Sequence, residues 1–367
     1  MILNRISILN YKNLEQVDLS FSPKLNCLFG HNGMGKTNLL DAIYFLSFCK
    51  SAGNPVDSQN IRHDADFFVI QGFYEEDNGE REEIYCGMKR RAKKQFKRNK
   101  KEYQRLSDHI GFIPLVMVSP ADAELVLGGS EERRRFMDVV ISQSDKEYLD
   151  ALIRYNKALS QRNVLLKSEM PVDEELFLVW EEMMAQAGEV VFAKREAFIR
   201  EFIPIFQDFY AFISQEREEV SLSYESHARD TSLYEVIRAS RQRDLIMGYS
   251  LKGIHKDELT MQLGGYPLRR EGSQGQTKTY FIAMKLAQYV FLKTKGERRV
   301  PILLLDDIFD KLDAGRVARI VDYVSGNDFG QIFITDTNRE HLDDILAATE
   351  RDYRLFEVKD GVVNPTL

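Results

Sequence analysis

GHNGMGKTN, residues 30–38, follows a short apolar run at residues 25–29 and precedes an apolar stretch at residues 39–46. This order predicts a strand, a loop and a helix. A phosphate-binding loop requires that order, because glycines let backbone N–H groups turn toward a polyphosphate and the following helix N-terminus supplies positive potential. The alternative is a glycine turn with an Asn-Gly pair at its tip.

Phosphate binding gives the last residues of this loop specific roles. Lys36 would reach the β and γ phosphates of a nucleotide, and Thr37 would hold Mg²⁺ through its hydroxyl. The predicted nucleotide-binding residues of the loop are Gly30, His31, Asn32, Gly33, Met34, Gly35, Lys36, Thr37 and Asn38.

Length and composition limit what this loop can belong to. With 367 residues the chain can form two or three domains with a full core. No window approaches about eighteen uninterrupted apolar residues, and the N-terminus lacks the layout of a signal peptide, so we expect a soluble, cytoplasmic protein. Cys27, Cys49 and Cys86 lie far apart without a CxxC pattern, which argues against disulfides and zinc. The net charge of −7 argues against a basic coat over the whole surface.

A basic segment, KRRAKKQFKRNKKEYQR at residues 89–105, carries ten Lys or Arg residues against the single acid Glu102. Asn99 suits a tight turn between strand-like pieces at 84–88 and 102–106, which predicts a protruding hairpin. Clustered cations bind the phosphate backbone of DNA without reading bases. The alternative is a solvated sheet edge that uses lysines to block further pairing. The predicted DNA-binding residues are Lys89, Arg90, Arg91, Lys93, Lys94, Lys97, Arg98, Lys100 and Lys101.

Residues 131–250 carry apolar side chains at helical spacing, which predicts packed helices. We expect Pro204 to interrupt the second helix, and Ser232 to cap a third helix that ends near Gly248. The heptads are not sustained over many turns, so these helices form a subdomain of modest reach rather than a long coiled coil.

A second anion site is predicted after the helical part. Residues 259–268 predict a hairpin turned by Gly264 and Gly265. GSQGQTK then precedes a helical run at 279–292, and its Ser273, Gly275 and Gln276 place a hydroxyl and a glycine at a helix N-terminus. The alternative is an ordinary helix cap.

Two acidic residues follow a strongly apolar strand in ILLLDDIFDKLD, residues 302–313. Open α/β sheets bind ligands at the carboxyl ends of such strands. Asp306 can bind the Mg²⁺ that Thr37 holds, and Asp307 can orient or deprotonate an attacking water. The alternative is an acidic strand end leading into a capped helix. A last strand at 331–335 again ends in polar residues, TDTN.

This order of motifs resembles the ATP-binding cassette ATPases, and within them the RecF family of bacterial recombination mediators. The stretches that carry the closer resemblance are NYKNL at 10–14, SPADAELVLGGSEERRRFMD at 119–138, GIHKDEL at 253–259, SQGQTK at 273–278 and LLLDDIFDKLD at 303–313. The implied fold class is α/β, with a P-loop ATPase head formed from residues 1–125 and 251–367 and a helical subdomain inserted at 126–250. In that superfamily two heads enclose two ATP molecules, which implies nucleotide contacts across the dimer from Ser273, Gly275, Gln276 and Asp313.

The resemblance also implies a function. It implies a protein that binds DNA in an ATP-dependent way, forms a homodimer with ATP, recognises gapped DNA or junctions of double and single strands, and works with RecO and RecR to load RecA. Recombinational repair, replication restart and the SOS response are the implied processes. ATP and Mg²⁺ are the implied cofactors, and Lys36 and Asp307 are the implied catalytic residues of a slow, DNA-stimulated ATPase.

Three positions depart from the superfamily pattern. Asp307 stands where many members carry Glu, and Asp336, with His341 further on, stands in place of a switch histidine. Ser119 or Asp122 stands in place of a glutamine. The alternatives to a recombination mediator are an SMC-like DNA-tethering head and the ATPase subunit of a membrane transporter.

Overall fold

The structure is a computed structural model that describes residues 1–168, 174–215, 218–296, 299–309, 312, 314–326, 329–337, 339, 342–343, 346 and 352–366. The chain divides into two compact units. We call Met1–Asp122 with Gln288–Leu367 the head unit, and Ala123–Ala287 the insertion unit. None of the described helices is long and apolar enough to cross a membrane.

The described elements are a mixture of strands and helices. The strands are β1 (Ile2–Tyr11), β2 (Leu14–Ser20), β3 (Leu25–Phe29), β4 (Phe67–Glu75), β5 (Arg81–Lys89), β6 (Gln95–Arg98), β7 (Lys101–Glu102), β8 (Leu115–Val118), β9 (Val220–Glu225), β10 (Glu258–Leu263), β11 (Tyr266–Pro267), β12 (Ile302–Asp306), β13 (Ile332–Asp336), β14 (Tyr353–Lys359) and β15 (Val362–Thr366). The helices are α1 (Lys36–Phe48), α2 (Glu124–Leu127), α3 (Ser130–Ser144), α4 (Lys146–Leu166), α5 (Glu174–Ser214), α6 (Leu233–Met247), α7 (Leu268–Glu271), α8 (Gln274–Lys295) and α9 (Ala314–Ser325).

The head unit contains two sheets. One is antiparallel, in the order β2-β1-β4-β5-β6-β7. The other has the order β15-β14-β3-β13-β12-β8, and its neighbours from β14 to β8 pair in parallel. Strands β8, β12 and β13 are buried along their whole length, as expected for parallel strands covered on both faces.

Helix α1 contacts strands of both sheets and links the two cores. Its Phe45 ring packs edge-to-face against Tyr11 and Phe68 of the antiparallel sheet, with centroids 6.0 and 5.7 Å away. Such aromatic pairs add to the energy of area burial. The helix that begins at the phosphate-binding loop is therefore fixed by the core of the head unit.

The insertion unit is less purely helical than predicted. It combines α3 to α6 with a three-stranded sheet in the order β11-β10-β9. The predicted hairpin at Gly264 and Gly265 is present, and both residues have the positive φ that a tight turn requires. The unit includes β10, which pairs with β9, and continues to Ala287 in α8, whereas its end was predicted at residue 250.

The prediction for Pro204 was wrong. Helix α5 runs through it without a break from Glu174 to Ser214. Proline removes one intrahelical hydrogen bond, but the flanking Phe202 and Phe206 are fully buried and stack on each other, so packing keeps the helix continuous. The predicted limits of α6 are confirmed, since the helix follows Ser232 and ends at Gly248 with φ 72°. The Ser232 side chain, however, makes no capping hydrogen bond to the described residues.

The stretches GGSEERRRFMD, residues 128–138, and GIHKDEL, residues 253–259, contact each other inside the insertion unit. Arg133 donates two hydrogen bonds to Glu258, at 2.6 and 2.8 Å, and Arg134 donates to the Asp257 carbonyl at 2.8 Å. The Asp257 carboxylate accepts from buried Arg195 at 2.8 Å. Burial raises the pKa of Asp257, and the Arg195 charge opposes that rise. These stretches therefore join helices α3 and α5 to the sheet.

Candidate nucleotide site and basic segment

The phosphate-binding loop has the backbone that its sequence predicts. Gly30, Gly33 and Gly35 have φ values of 152°, 81° and 119°, which favour glycine over residues with side chains. Gly35 occupies the N-cap position of α1, and no described side chain caps that helix end. The first N–H groups of a helix have no intrahelical partner, so they are oriented to receive an anion.

Lys36 is buried with its ammonium inside this loop. Its side chain is 3% exposed, and Nζ donates to the carbonyls of Gly30 at 2.7 Å and His31 at 3.3 Å. The Asp307 carboxylate lies 4.0 Å from Nζ. The loop therefore holds a fixed positive charge beside the end of β12.

Asp306 lies between two threonine hydroxyls. Thr37 Oγ1 donates to its Oδ1 at 3.0 Å, and Thr335 Oγ1 donates to the same oxygen at 2.8 Å. Burial raises the pKa of Asp306, and these two hydrogen bonds oppose that rise. The structure thus brings Thr37 and Asp306 together as predicted, although they are 269 positions apart.

This pair of oxygens fits Mg²⁺. The ion takes oxygen ligands, commonly one or two from the protein and the rest from water and phosphate. A divalent cation would also offset the cost of keeping the Asp306 carboxylate charged while buried. Thr37 and Asp306 are accordingly the residues that would hold it.

Thr335 belongs to this site, although no role for it was predicted from the sequence. It is fully buried, and its hydroxyl accepts from the Asp307 N–H at 3.0 Å while donating to Asp306. Asp307 has φ 45°, a left-handed conformation that aspartate tolerates better than most residues. The polar TDT ending of β13, the parallel neighbour of β12, was the signal that could have identified Thr335.

The other predicted positions fall into two groups. Some end or follow strands of the parallel sheet, and the others lie outside the described residues. Asp336 ends β13 opposite Phe29 and is buried. After β8, the Ser119 N–H donates to the Asp122 carboxylate at 2.7 Å. Asp313 and His341 lie outside the described residues.

Ser273 and Gln276 form a reciprocal cap on α8. The Ser273 N–H donates to Gln276 Oε1 at 2.7 Å, and the Gln276 N–H donates to Ser273 Oγ at 3.2 Å. This is the capping-box pattern, so the helix-cap interpretation is confirmed. Gln276 Nε2 also donates to Glu218 at 2.6 Å, and the Gly275 carbonyl accepts from Thr279. Ser273 is exposed, so the capped helix end is accessible to a ligand as well.

The basic segment forms a hairpin whose strands differ from those predicted. Asn99 lies in the predicted turn, with φ 50°, but the turn joins β6 to β7. Residues 90–94 connect β5 to β6. The second strand was expected at 102–106, but β7 ends at Glu102 and a 3₁₀ helix follows at 106–108. Phe96 explains the extra strand, because this one apolar side chain among the cations is buried.

The cations of this segment are in two environments. Lys94 donates to the Cys49 carbonyl and pairs with Asp57 at 2.6 Å. Arg98 pairs with Glu82, and its guanidinium lies 3.8 Å from the centre of the Phe112 ring. Lys97 is half-buried, with Nζ 5.5 Å from the centre of the Tyr85 ring. The exposed cations are Lys89, Arg90, Arg91, Lys93, Lys100 and Lys101.

Comparison with known proteins matches this geometry to one family. The family described as RecF/RecN/SMC N terminal domain matches residues 2–364. The DNA replication and repair protein RecF of Bacteroides thetaiotaomicron is 76% identical over 364 residues, which cover 99% of this chain and 98% of the relative. The RecF protein of Bacteroides fragilis is 77% identical over the same shares.

Solved structures agree. A structure of the recombination mediator protein RecF with ATP, in the RecFOR pathway, superposes with a TM-score of 0.90 at 28% identity, covering 100% of this chain and 98% of that one. An Smc head domain from Pyrococcus furiosus shares the fold alone, with a TM-score of 0.59 at 16% identity, 100% coverage of this chain and 96% of that one. The α/β head with an insertion that the sequence predicted is thus confirmed, and the chain belongs to the RecF family of SMC-like ATPases.

Proposed function

We propose that this protein binds DNA in an ATP-dependent way, dimerises when ATP is bound, and recognises gapped DNA or junctions of double and single strands. It would work in the cytoplasm with RecO and RecR to load RecA in recombinational repair, replication restart and the SOS response. The observation that carries the proposal is the meeting of Lys36, Thr37, Asp306 and Asp307 at one edge of the parallel sheet.

Each residue of that group has a separate task toward ATP. The loop N–H groups and Lys36 would bind the β and γ phosphates, and Thr37 and Asp306 would hold Mg²⁺. The ion, when bound, neutralises charge on the phosphate oxygens. A RecF structure with ATP, at 28% identity, supports ATP as the nucleotide.

Asp307 is proposed to orient the attacking water. Its backbone is fixed by the hydrogen bond to Thr335, and its carboxylate lies 4.0 Å from the Lys36 ammonium. Aspartate is shorter than the glutamate found in many cassette ATPases, so it reaches less far toward the water. Hydrolysis is therefore proposed to be slow, stimulated by DNA, and used as a switch that opens the dimer.

The dimer is proposed to close on ATP through the exposed start of α8. Ser273, Gly275 and Gln276 of one subunit would contact the γ-phosphate held by the other, joined by Asp313. The cap on α8 holds the Ser273 hydroxyl at an exposed helix N-terminus, where positive potential favours a phosphate.

The basic segment is proposed as a DNA contact. Lys94 and Arg98 are ion-paired, and Arg90 donates to the carbonyls of Ala65 and Arg62. The other exposed cations of the segment are the ones proposed to contact phosphates. An SMC-like tethering head is the second candidate, because the fold is shared with an Smc head. The named relatives give no support to a transporter subunit.

Nucleotide binding and dimerisation can be tested separately. Lys36→Ala should abolish tight ATP binding. Ser273→Arg should leave ATP binding to the monomer intact and block ATP-dependent dimerisation, measured by sedimentation. A Ser273→Arg protein that still dimerises with ATP would refute the shared site, and near-normal ATP affinity in Lys36→Ala would refute the phosphate loop.

A further inference from the structure

The turn between β14 and β15 contacts the phosphate-binding loop. The Gly361 N–H donates to the Met34 carbonyl at 2.9 Å, and the Asp360 N–H donates to the Met34 sulfur at 3.3 Å. Asp360 and Gly361 have φ values of 50° and 79°, the positive values of a tight hairpin turn. A turn close to the end of the chain thus holds the middle of a loop near its beginning.

The contact is so close that a side chain at position 361 would force the backbone to shift. A Cβ on Gly361 would lie 2.3 Å from the carbonyl oxygen of Asn13. The Asn13 side chain accepts from Asn38 at 2.7 Å and donates to the Gly33 carbonyl at 3.4 Å. Asn13, in the NYKNL stretch, is thus held between the turn and the loop.

Strand β14 also contacts the start of the loop. A Cβ on Gly30 would lie 2.2 Å from the Val358 carbonyl oxygen. The loop therefore meets backbone of the C-terminal hairpin at Gly30 and again at Met34. Backbone contacts of this kind fix the position of a loop more firmly than contacts to mobile side chains.

We propose that the β14–β15 turn positions the phosphate-binding loop for nucleotide, and that Gly361 is its positioning residue. The loop binds phosphate through N–H groups whose directions must be set before the ligand arrives, and preorganisation of this kind raises affinity. Gly361 touches no phosphate and acts through Met34 and Asn13. The inference rests on the proposed nucleotide binding.

Gly79 supplies a matched control. It lies in the β4–β5 turn with φ 82°, and a Cβ there would meet nothing within 4 Å. Asparagine tolerates the left-handed conformation, so Gly361→Asn and Gly79→Asn carry the same small backbone cost. Only at position 361 must the new Cβ retreat, from 2.3 Å to at least 3.0 Å from the Asn13 oxygen.

The test measures the Kd of a fluorescent ADP analogue and the thermal midpoint of both variants and the wild type. ADP fills the β-phosphate position and leaves dimer closure out of the measurement. Breaking the Gly361–Met34 hydrogen bond should raise the Kd of Gly361→Asn about tenfold, from the usual contribution of one such bond. Its thermal midpoint should fall below that of Gly79→Asn by no more than the loss of one hydrogen bond requires, and the Kd of Gly79→Asn should equal the wild-type value.

A second measurement does not depend on any variant. By reciprocal linkage, ADP should slow amide hydrogen exchange at residues 355–363 of the wild type. Equal Kd values for the two variants, or unchanged exchange in this hairpin with ADP bound, would overturn the inference while leaving nucleotide binding in place. A wild-type protein that binds no ADP would overturn both the inference and the proposed nucleotide site.

Discussion

Thr335→Val should damage the nucleotide site without changing its shape. Valine replaces the hydroxyl by a methyl group of similar size, so two hydrogen bonds disappear together. The Asp306 carboxylate loses a donor at 2.8 Å, and the Asp307 N–H loses its acceptor at 3.0 Å. Both losses occur at a fully buried position, where water cannot replace the hydroxyl.

The size of the effect follows from these two bonds. A hydrogen bond to a charged group contributes about 1.5–3 kcal/mol, and an unsatisfied buried donor costs about 1–3 kcal/mol. We expect Thr335→Val to lose about 3 kcal/mol of unfolding free energy, since the two losses share one side chain and do not add fully. Thr335→Ser keeps the hydroxyl and should lose about 1 kcal/mol for the missing methyl group.

The same substitution should change how Mg²⁺-dependent ATP binding responds to pH. Burial raises the pKa of Asp306, and the Thr335 hydrogen bond opposes that rise. Removing the bond raises the pKa further, and a metal ligand must be deprotonated. The acid limb of Mg²⁺-dependent ATP binding should therefore move to higher pH in Thr335→Val and stay near the wild-type position in Thr335→Ser.

Urea unfolding and fluorescent-nucleotide titrations from about pH 5 to 8 would measure both effects. The reasoning fails if the valine and serine variants unfold at the same urea concentration and share one acid limb. That result would mean that the Thr335 hydroxyl does not hold the two aspartates in the folded protein.

Two further predictions concern the basic segment and a buried histidine. Replacing Lys93, Lys100 and Lys101 by Glu should flatten the salt dependence of DNA binding, by about 0.9 in log-log slope for each duplex phosphate that the protein no longer neutralises. Lys94→Gln removes a cation already paired with Asp57 and should leave the slope unchanged. Equal slopes for the wild type and both variants would favour the solvated sheet edge instead. Burial lowers the pKa of His255 to about 4, so the unfolded chain takes up its proton first, near about pH 6.5. The contribution of His255 to the free energy of unfolding is therefore complete above about pH 6.5. It declines as the pH falls toward 4, by up to about 3 kcal/mol. The urea midpoint of His255→Gln should therefore fall less between about pH 7 and 5 than that of the wild type. The same dependence of the midpoint on pH in both proteins would contradict the assignment.

Two hydrogen bonds identify the tautomer of neutral His255. Its Nε2 lies 2.9 Å from the Ser250 carbonyl, which can only accept, so Nε2 carries the hydrogen. Nδ1 is then the acceptor for the Tyr155 hydroxyl at 2.7 Å. Protonation at Nδ1 would place a charge in a buried site and turn this nitrogen from an acceptor into a donor, so the Tyr155 hydroxyl would have to accept from it.

Local patterns predicted most of the head unit, for identifiable reasons. The apolar run of β12 is continuous because both faces of its sheet are covered, and that of β3 is interrupted only by buried Asn26. The polar residues that end or follow these strands mark the edge where the site lies. The glycines of the phosphate loop indicate positive φ directly. These signals are local, so a single sequence carries them.

Long-range contacts decided what the sequence could not predict. Helix α5 passes through Pro204 because its aromatic face is buried by other elements, which local propensity does not register. The pairing of β10 with β9 moved the end of the insertion unit, and it joins strands that are far apart along the chain. The role of Thr335 depends on β13 lying beside β12, which strand spacing along the chain does not reveal.

Sedimentation of Asp307→Asn with ATP and Mg²⁺, in the presence of gapped duplex DNA, tests the central proposal most directly. Asparagine keeps the size of the side chain and removes the carboxylate that is proposed to act on water, so binding should persist while turnover stops. The account predicts a long-lived dimer on DNA with ATP, a monomer with ADP, and release of the wild type once ATP is consumed. A protein that sediments as a monomer with ATP, or an Asp307→Asn dimer that dissociates as fast as the wild type, would contradict it.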